Sequence, residues 1–257
     1  MKTATQSRPA GAGAHRQRGV TLIELSVTIV IALFLLGGLF TIVQNTRGAY
    51  TNNTQLSQLQ DSQRLAMTMI TDVIQSAGYF PDPTAADAGT SFPAAGAFQS
   101  GQAIVGAQSG IAPEDSITVR YVTFSGAVGT GDGILNCLGQ TNISGANVTY
   151  TNTFQLGPAD GAGNRWLQCA MNGGAPTDLV NGLQNMQIFY GVKRTTTNDF
   201  SVDTYVRAQD MQLTDWANIS AVRIILTFTN PVVGGNAPAT ISFERVIAVM
   251  NKAGVKT

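Results

Sequence analysis

An uninterrupted apolar stretch near the N-terminus constrains this chain more than any other feature of its sequence. No charged residue occurs between Leu25 and Val43. As an α-helix with a rise of 1.5 Å per residue, this stretch would be about 28 Å long, close to the thickness of the hydrocarbon core of a bilayer. The sequence therefore predicts a membrane-spanning helix, which we assign to residues 20–43.

The residues before the apolar stretch are basic. Four positively charged residues lie there without an accompanying acid: Lys2, Arg8, Arg16 and Arg18. Positively charged flanks of membrane helices remain in the cytoplasm. Residues 1–19 are therefore expected to be an unfolded cytoplasmic leader, and the C-terminal part of the chain is expected to cross the membrane.

Glu24 lies at the start of the apolar stretch. A carboxylate in a membrane helix costs about 2 to 3 kcal/mol at mid-bilayer, and such a residue is usually retained because it has a partner. Two interpretations are open for this glutamate taken alone. It is either a functional group with a partner, or a side chain that lies at the level of the lipid headgroups.

The residues around Glu24 resemble a known processing signal. Gly19-Val20-Thr21-Leu22-Ile23-Glu24-Leu25, between a basic leader and an apolar run, is similar to the type IV prepilin (class III) signal. The resemblance implies that prepilin peptidase cuts after Gly19 and that Val20 becomes the N-methylated terminus. It also implies that Glu24 pairs with this new terminus during filament assembly. Val20 stands where phenylalanine is usual in this signal. Cleavage is still expected, because the glycine specifies the cut, whereas the efficiency of methylation is left open.

This signal differs from a secretory signal peptide. A secretory signal has an apolar region of about 7 to 15 residues, and cleavage removes it. Here the apolar run is longer and follows the expected cut, so the mature chain keeps its membrane helix. Gly37 and Gly38 each weaken a helix by up to about 1 kcal/mol relative to alanine. They favour either local unwinding during assembly or close packing of helices.

A second helical pattern follows the apolar stretch. Apolar residues recur at spacings of three and four, which is typical of an amphipathic helix: Leu56, Leu59, Ala66, Met69, Ile70, Val73, Ile74 and Ala77. Gly78, with Pro81 and Pro83 beyond it, is expected to end this helix. We therefore predict one helix from Val20 to Ala77, in which residues 44–78 form the amphipathic part and pack on a sheet.

Strand patterns dominate residues 79–257, which we expect to form a β-rich head. Alternating polar and β-branched or aromatic residues predict strands at Ile117–Phe124, Asn147–Leu156, Asn164–Met171, Leu183–Val192, Ser201–Arg207, Ile219–Asn230 and Thr240–Met250. Residues 81–108 are rich in Gly, Ala, Pro and Ser and are expected to be irregular, held in place by Phe92 and Phe98. The fold class predicted is α+β, with a long helix on an antiparallel sheet that carries long loops.

Two parts of the chain resemble the PilW family of minor pilins. Residues 56–64 lead into the turn Ala77-Gly78-Tyr79-Phe80, and the resemblance resumes at residues 179–191 and 216–224. It implies a type IV pilin-like fold, consistent with the α+β class. Residues 81–176 resemble the family poorly, so the features specific to this protein are expected in this variable region.

The charge of the mature chain argues against nucleic-acid binding. Four of the fifteen basic residues lie in the leader, which leaves eleven against fifteen acidic residues, a net charge of −4. A nucleic-acid surface would need a clustered excess of Lys and Arg.

Cys137 and Cys169 are the two cysteines, and both lie in the part that is expected to be exported. In an oxidising compartment they predict one disulfide, which would stabilise the fold by about 3 to 4 kcal/mol. The single histidine, His15, lies in the leader. The mature chain therefore has no histidine for a zinc site or a catalytic triad, and we expect no catalytic residue, metal or cofactor.

Short polar motifs in the head are interpreted as structural. Asp132 and Asp160 lie in turns flanked by glycine, where aspartate commonly closes an Asx-turn, with a calcium site as the alternative. Asn142 and Asn147 match the glycosylation sequon and are expected to be ordinary surface asparagines.

The family resemblance implies a structural subunit without enzymatic activity. A minor pilin of this kind primes assembly of a type IV pilus, sits at its tip, or does both. The implied partners are the prepilin peptidase, the major pilin, other minor pilins, the inner-membrane assembly platform and a tip adhesin. Before assembly the chain would be anchored in the bacterial inner membrane with its head in the periplasm.

Two alternatives remain. A minor pseudopilin of a type II secretion system shares the leader, Glu24 and the size of the chain. A sugar-binding or surface-binding head would use the region of Phe92, Phe98 and Trp166, although such aromatic residues are more commonly core anchors.

Overall fold

The computed structural model describes residues 19–108, 115–124, 131–195, 201–232 and 238–250. The chain forms two compact units, Met1–Thr51 and Asn52–Thr257. The predictions for the basic leader before Gly19, including His15, lie outside the described residues.

Helix α1 (Leu22–Gln75) begins in the first unit and ends in the second. It is two residues shorter at each end than predicted, and it continues through Gly37 and Gly38. Within the first unit, the large apolar side chains from Leu22 to Val43 are each at least 40% exposed. The helix is long and apolar enough to cross a membrane.

Hydroxyl side chains in the apolar part of α1 bond back to the helix itself. The hydroxyls of Ser26, Thr28 and Thr41 donate to the carbonyl oxygens four residues earlier, over 2.9, 2.5 and 3.0 Å. Because these donors are satisfied within the helix, they present no unpaired polar group to an apolar environment.

In the second unit, α1 ends at Gln75, and a turn over residues 76–78 brings the chain to Gly78, the glycine expected to end the helix. Gly78 has a φ of 72°, in the left-handed region that glycine adopts without strain. Its N–H donates to the carbonyl oxygen of Arg120 (3.0 Å), and the N–H of Val122 donates to the carbonyl of Tyr79 (2.8 Å). The chain therefore leaves the helix hydrogen-bonded to the sheet.

Eight strands form one antiparallel sheet in the described part of the chain: β1 (Ile104–Gln108), β2 (Asp115–Thr123), β3 (Val148–Leu156), β4 (Arg165–Met171), β5 (Thr177–Val192), β6 (Thr204–Val206), β7 (Ile219–Thr229) and β8 (Thr240–Ala248). The strand order is β1-β2-β3-β4-β5-β7-β8, and β6 pairs with β5. All seven predicted strands are confirmed, with shifts at their ends. The α+β class, with a helix packed on an antiparallel sheet, is confirmed as well.

The prediction for residues 81–108 was wrong in part, because β1 lies within them. Strand β1 is short and contains Gly106, so its sequence lacks the β-branched alternation that predicts a strand. The glycine is required there, since a Cβ on Gly106 would lie 1.8 Å from the hydroxyl oxygen of Tyr190. Short helix α2 (Ala88–Ser91) also lies in this region, and the Asp87 carboxylate caps it.

Strand β5 is longer than predicted. We expected it to begin at Leu183, but it begins at Thr177. Its pairing with β4 shifts register between the pairs Arg165–Leu183 and Leu167–Val180. Asn181 and Gly182 therefore form a bulge inside one long strand rather than a turn before it.

The core lies between the C-terminal part of α1 and one face of the sheet. The helix contributes buried residues at the predicted spacing: Leu59, Ala66, Ile70, Val73 and Ile74, and the predicted Ala77 is buried just beyond its end. Met67 is also buried, although the predicted stripe omitted it, whereas Leu56 and Met69 are only partly covered. On β7, the alternate residues Val222, Ile224, Leu226 and Phe228 are all fully buried, which confirms the predicted period of two.

The predicted disulfide between Cys137 and Cys169 is present. Its Cα atoms lie 6.2 Å apart, and both cysteines are buried. The backbone N–H of Cys137 donates to Oδ1 of the buried Asn152 on β3 (2.9 Å). The disulfide and this hydrogen bond together tie the segment before β3 to strands β3 and β4.

The prediction that Asn142 is a surface asparagine was wrong. Asn142 is 6% exposed, and its amide donates to the carbonyl oxygens of Thr123 (3.2 Å) and Ala146 (2.8 Å). Its Oδ1 accepts the N–H of Ser144 (3.0 Å). Asn142 therefore closes a turn, whereas Asn147 is exposed as expected.

Replacing a residue of the helix–sheet core should lower the stability of the head. Ile70→Ala removes a fully buried side chain, so we expect the free energy of unfolding to fall by about 2 to 5 kcal/mol. Urea unfolding of the full chain in detergent, followed by tryptophan fluorescence, measures this change. Leu65→Ala is the control, because Leu65 is 52% exposed on the same helix. Equal losses for the two variants would contradict the proposed packing.

Loss of the disulfide should also lower stability. For the double variant Cys137→Ser and Cys169→Ser, we expect the free energy of unfolding to fall by about 3 to 4 kcal/mol, because the unfolded chain is no longer closed into a loop. The same urea titration measures it. Adding a reducing agent should lower the stability of the native chain and leave the double variant unchanged. A native chain insensitive to reduction would contradict the expectation.

Candidate functional site

The first candidate site lies at the N-terminal end of α1. Gly19 and Val20 precede the helix, and both are exposed. A Cβ placed on Gly19 would have no heavy atom within 4 Å. The peptide bond between Gly19 and Val20 is therefore accessible non-helical backbone, to which a peptidase can gain access.

Thr21 caps the helix directly after this bond. Its hydroxyl oxygen accepts the backbone N–H of Glu24 (3.4 Å), and its carbonyl oxygen accepts the N–H of Leu25 (3.1 Å). Thr21 and Glu24 have the spacing of a capping box, in which Ser or Thr is followed three residues later by Glu. The sequence analysis missed the role of Thr21, although the Thr-x-x-Glu spacing is the signal that predicts it.

Glu24 lies in the first turn of α1, where the positive end of the helix dipole favours a carboxylate. Its neighbours Leu22, Ile23 and Leu25 are all more than half exposed. The site is thus one acid at the border of an apolar helix surface. Once that surface is covered by lipid or protein, the carboxylate needs a cation or hydrogen-bond donors, because an unpaired buried charge is strongly unfavourable.

The aspartates of the glycine-flanked turns are held by backbone donors, as predicted. Oδ1 of Asp160 accepts the N–H groups of Asn164 (2.8 Å) and Ala162 (2.9 Å). These bonds, that of Asn164 above all, lower the pKa of the Asp160 carboxyl. Asp132 accepts the N–H groups of Phe124 (2.7 Å) and Ile134 (3.2 Å). Within the ranges that the structure describes, no group of three or more His, Cys, Asp or Glu residues could hold a metal.

Two ion pairs hold the loops around β6. Arg194 contacts the buried Asp215 at 2.6 Å, and its hydrogen bond to this carboxylate lowers the pKa of Asp215. Arg207 contacts the buried Asp115 at 3.0 Å, and Asp115 also accepts the N–H of Ile188 (2.7 Å). The acids of the two pairs accept hydrogen bonds from loop and strand backbone, so the pairs fix loops rather than assemble a reactive centre.

A buried arginine, which the sequence analysis missed, organises the loop before β1. Arg120 on β2 is 3% exposed. Its guanidinium donates to the carbonyl oxygens of four residues: Gln102 (2.6 Å), Pro93 (2.8 Å), Gln99 (2.9 Å) and Phe92 (3.2 Å). It also lies 4.4 Å from the ring centre of Phe98 and 5.4 Å from that of Phe92. Both phenylalanines are buried and anchor the loop, as predicted, whereas Trp166 is 41% exposed.

Two protein families match this chain, one at the start of α1 and the other over the C-terminal strands. Residues 14–40 match the prokaryotic N-terminal methylation motif. Residues 159–244 match PilW, the type IV pilus-assembly protein W. Over these two stretches the chain is similar to PilW-like type IV pilins. No curated protein and no solved structure matches it.

The two matches agree with the two sites of resemblance in the sequence. The methylation motif includes Gly19, Val20 and Glu24. The PilW match runs from the turn before β4 into β8, so it covers the C-terminal strands and leaves out the Arg120 loop. Together, the motif and the apolar helix indicate membrane anchoring and association with a pilus. Pilin families are structural, and a minor pilin-like role follows for this chain.

Proposed function

We propose that this chain is a structural minor pilin that primes assembly of a type IV pilus, sits at its tip, or does both. The observation that carries the proposal is the combination of an exposed apolar helix surface with one acid in its first turn. Such a helix can lie in a bilayer or among other apolar helices in a filament. The two family matches support the same role.

Processing at the start of α1 is the first step of this function. Prepilin peptidase would cut the exposed bond between Gly19 and Val20, and Val20 would then be N-methylated. The helix cap at Thr21 lies on the C-terminal side of the bond. The cut therefore removes the basic leader and leaves the hydrogen bonds that begin the helix in place.

Glu24 gains its partner through this cut. Cleavage creates an ammonium group at Val20, four residues before Glu24. In a filament made of packed apolar helices, the carboxylate of one subunit would pair with the ammonium group of a subunit already present or joining. Leaving either charge unpaired in such surroundings costs several kcal/mol, so the pair would favour docking in one register.

The proposed partners follow from the order of these steps. They are the prepilin peptidase, the inner-membrane assembly platform, the major pilin and other minor pilins, with a tip adhesin as a further partner. Before assembly the chain would be held in the inner membrane by the helix at residues 20–43, with the head, residues 79–257, in the periplasm. The head carries no catalytic role in this proposal.

Mass spectrometry of the protein purified from its own cells tests the processing step. We expect the chain to begin at Val20, with or without one added methyl group, because the Gly19–Val20 bond is accessible. Cells that lack prepilin peptidase should yield a chain that still carries the leader. A chain that retains the leader in cells with active peptidase would overturn the proposal.

The variant Glu24→Gln tests the assembly step. It keeps the shape of the side chain and removes its charge, so we expect normal membrane insertion and cleavage but at least a tenfold loss of the protein from sheared pili. Asp61→Asn is the matched control, because Asp61 is an exposed acid farther along the same helix. Unchanged incorporation of Glu24→Gln would show that the acid has no role in assembly. Copurification with a secretion system instead of pili would favour a pseudopilin.

A further inference from the structure

A groove of about 500 Å³ lies on the face of the sheet opposite α1. The inward side chains of β2 and β3 are core residues such as Val119 and Phe154, so their alternate neighbours Thr118, Arg120 and Thr151 point to the opposite face. The loop that Arg120 anchors forms one wall of this groove. We call it the Arg120 groove, and strands β2 and β3 form its floor. Its volume is in the range of small-molecule sites.

The Arg120 groove carries a positive charge that its lining does not balance. None of the residues that line it is acidic. Among the described residues, no carboxylate oxygen lies within 4.0 Å of the Arg120 guanidinium, and its four acceptors are neutral carbonyl oxygens. A buried ion without a counter-ion is unfavourable, and burial lowers the pKa of this guanidinium. An anionic group in the groove would supply the missing opposite charge.

The rest of the lining is neutral and rich in hydroxyl groups. Thr118, Thr149 and Thr151 lie on the strands, and Ser91 is the last residue of α2. Hydroxyl groups both donate and accept hydrogen bonds, and the side-chain amide of Asn172 adds both functions as well. The wall opposite the strands consists of small apolar residues, from Ala95 to Ala97. This combination suits the hydroxyl groups and the C–H faces of a sugar ring.

We infer that the Arg120 groove binds an acidic carbohydrate, one that carries a carboxylate or a sulfate. The acidic group would lie towards Arg120, and the sugar hydroxyls would bond to the threonine side chains. A nucleic acid fits less well, because its row of phosphates would need several cations and the lining holds one. The groove lies in the variable region, and all of its lining residues except Asn172 lie before residue 159, where the PilW match begins. The inference rests on the proposed function in one respect only, namely that the head would meet the carbohydrate outside the cytoplasm.

Binding to the full chain in detergent micelles tests the inference. Three acidic probes are titrated by calorimetry, each against a neutral counterpart: trigalacturonic acid against its methyl ester, and 3′-sialyllactose and 3′-sulfolactose against lactose. We expect at least one acidic probe to bind at least tenfold more tightly than its neutral counterpart. Failure of all three to bind, or equal binding of acidic and neutral forms, would overturn the inference.

Two variants locate the binding site. Thr149→Trp places a large ring in the groove at an exposed strand position, and it should weaken binding of the acidic probe at least tenfold. Gln155→Trp is the matched control, since Gln155 lies on the same face of β3 but does not line the groove. Near-ultraviolet circular dichroism checks that both variants fold. Equal binding by Thr149→Trp and the native chain would overturn the inference.

Competition experiments separate a carbohydrate site from a general anion site. Inorganic sulfate or a short oligothymidylate, at the concentration of the acidic probe, should displace little of it. Full displacement by sulfate would reveal a simple anion site, and full displacement by the oligonucleotide would reveal a nucleic-acid site, and either result overturns the inference. These measurements do not involve pili. Failure here would leave the Glu24→Gln result unaffected, and a failure of that assembly test would leave the binding result standing.

Discussion

The removal of one apolar helix surface from water is the constraint on which the rest of this structure depends. The large apolar side chains from Leu22 to Val43 are exposed within the first unit, and leaving such a side chain in water instead of burying it costs roughly 1.5 to 3 kcal/mol. Such a segment is stable only in a bilayer or against other apolar helices. The same chain continues as a helix whose apolar stripe, from Leu59 to Ile74, is buried against its own sheet. One helix therefore lies in two environments. Its first part must be covered by lipid or by other chains, and its second part is covered by the sheet of its own head.

The head combines a conventional hydrophobic core on one face of its sheet with a loop held by a buried arginine on the other face. On the inner face, α1 and the sheet bury aliphatic and aromatic side chains, and the disulfide at Cys137 secures the segment before β3. On the outer face, the guanidinium of Arg120 donates to four carbonyl oxygens of the preceding loop and contacts two of its aromatic rings. A charged group organises the loop there because the loop contains too few apolar residues to form a core of its own. The proposed groove is a consequence of this arrangement.

Periodicity predicted most of the fold, because helices and half-buried strands are encoded by local spacing. The extent of α1 to within two residues at each end, the left-handed Gly78 that follows it and the alternation of Val222 with Ile224 all follow from such patterns. The errors have a different origin. Strand β1 exists because β2 offers it a partner, and Arg120 is buried by a loop distant from it in sequence. Asn142 combines a local turn with a hydrogen bond to the distant Thr123. A single sequence does not encode which loop will cover a residue, whereas the capping role of Thr21 was predictable from its spacing to Glu24.

The cap at Thr21 means that the proposed cleavage would leave the start of the helix intact. Both hydrogen bonds that start the helix use atoms of Thr21, on the side of the bond that the mature protein keeps. Removal of the leader therefore requires no refolding of the stem. What changes is the electrostatic character of one end, which exchanges a basic tail for a single ammonium group next to an acid that was already in position. Proteolysis would thus make the chain competent for polymerisation by changing only the charge at its N-terminus. The helix itself would have the same structure in the precursor and in the fibre.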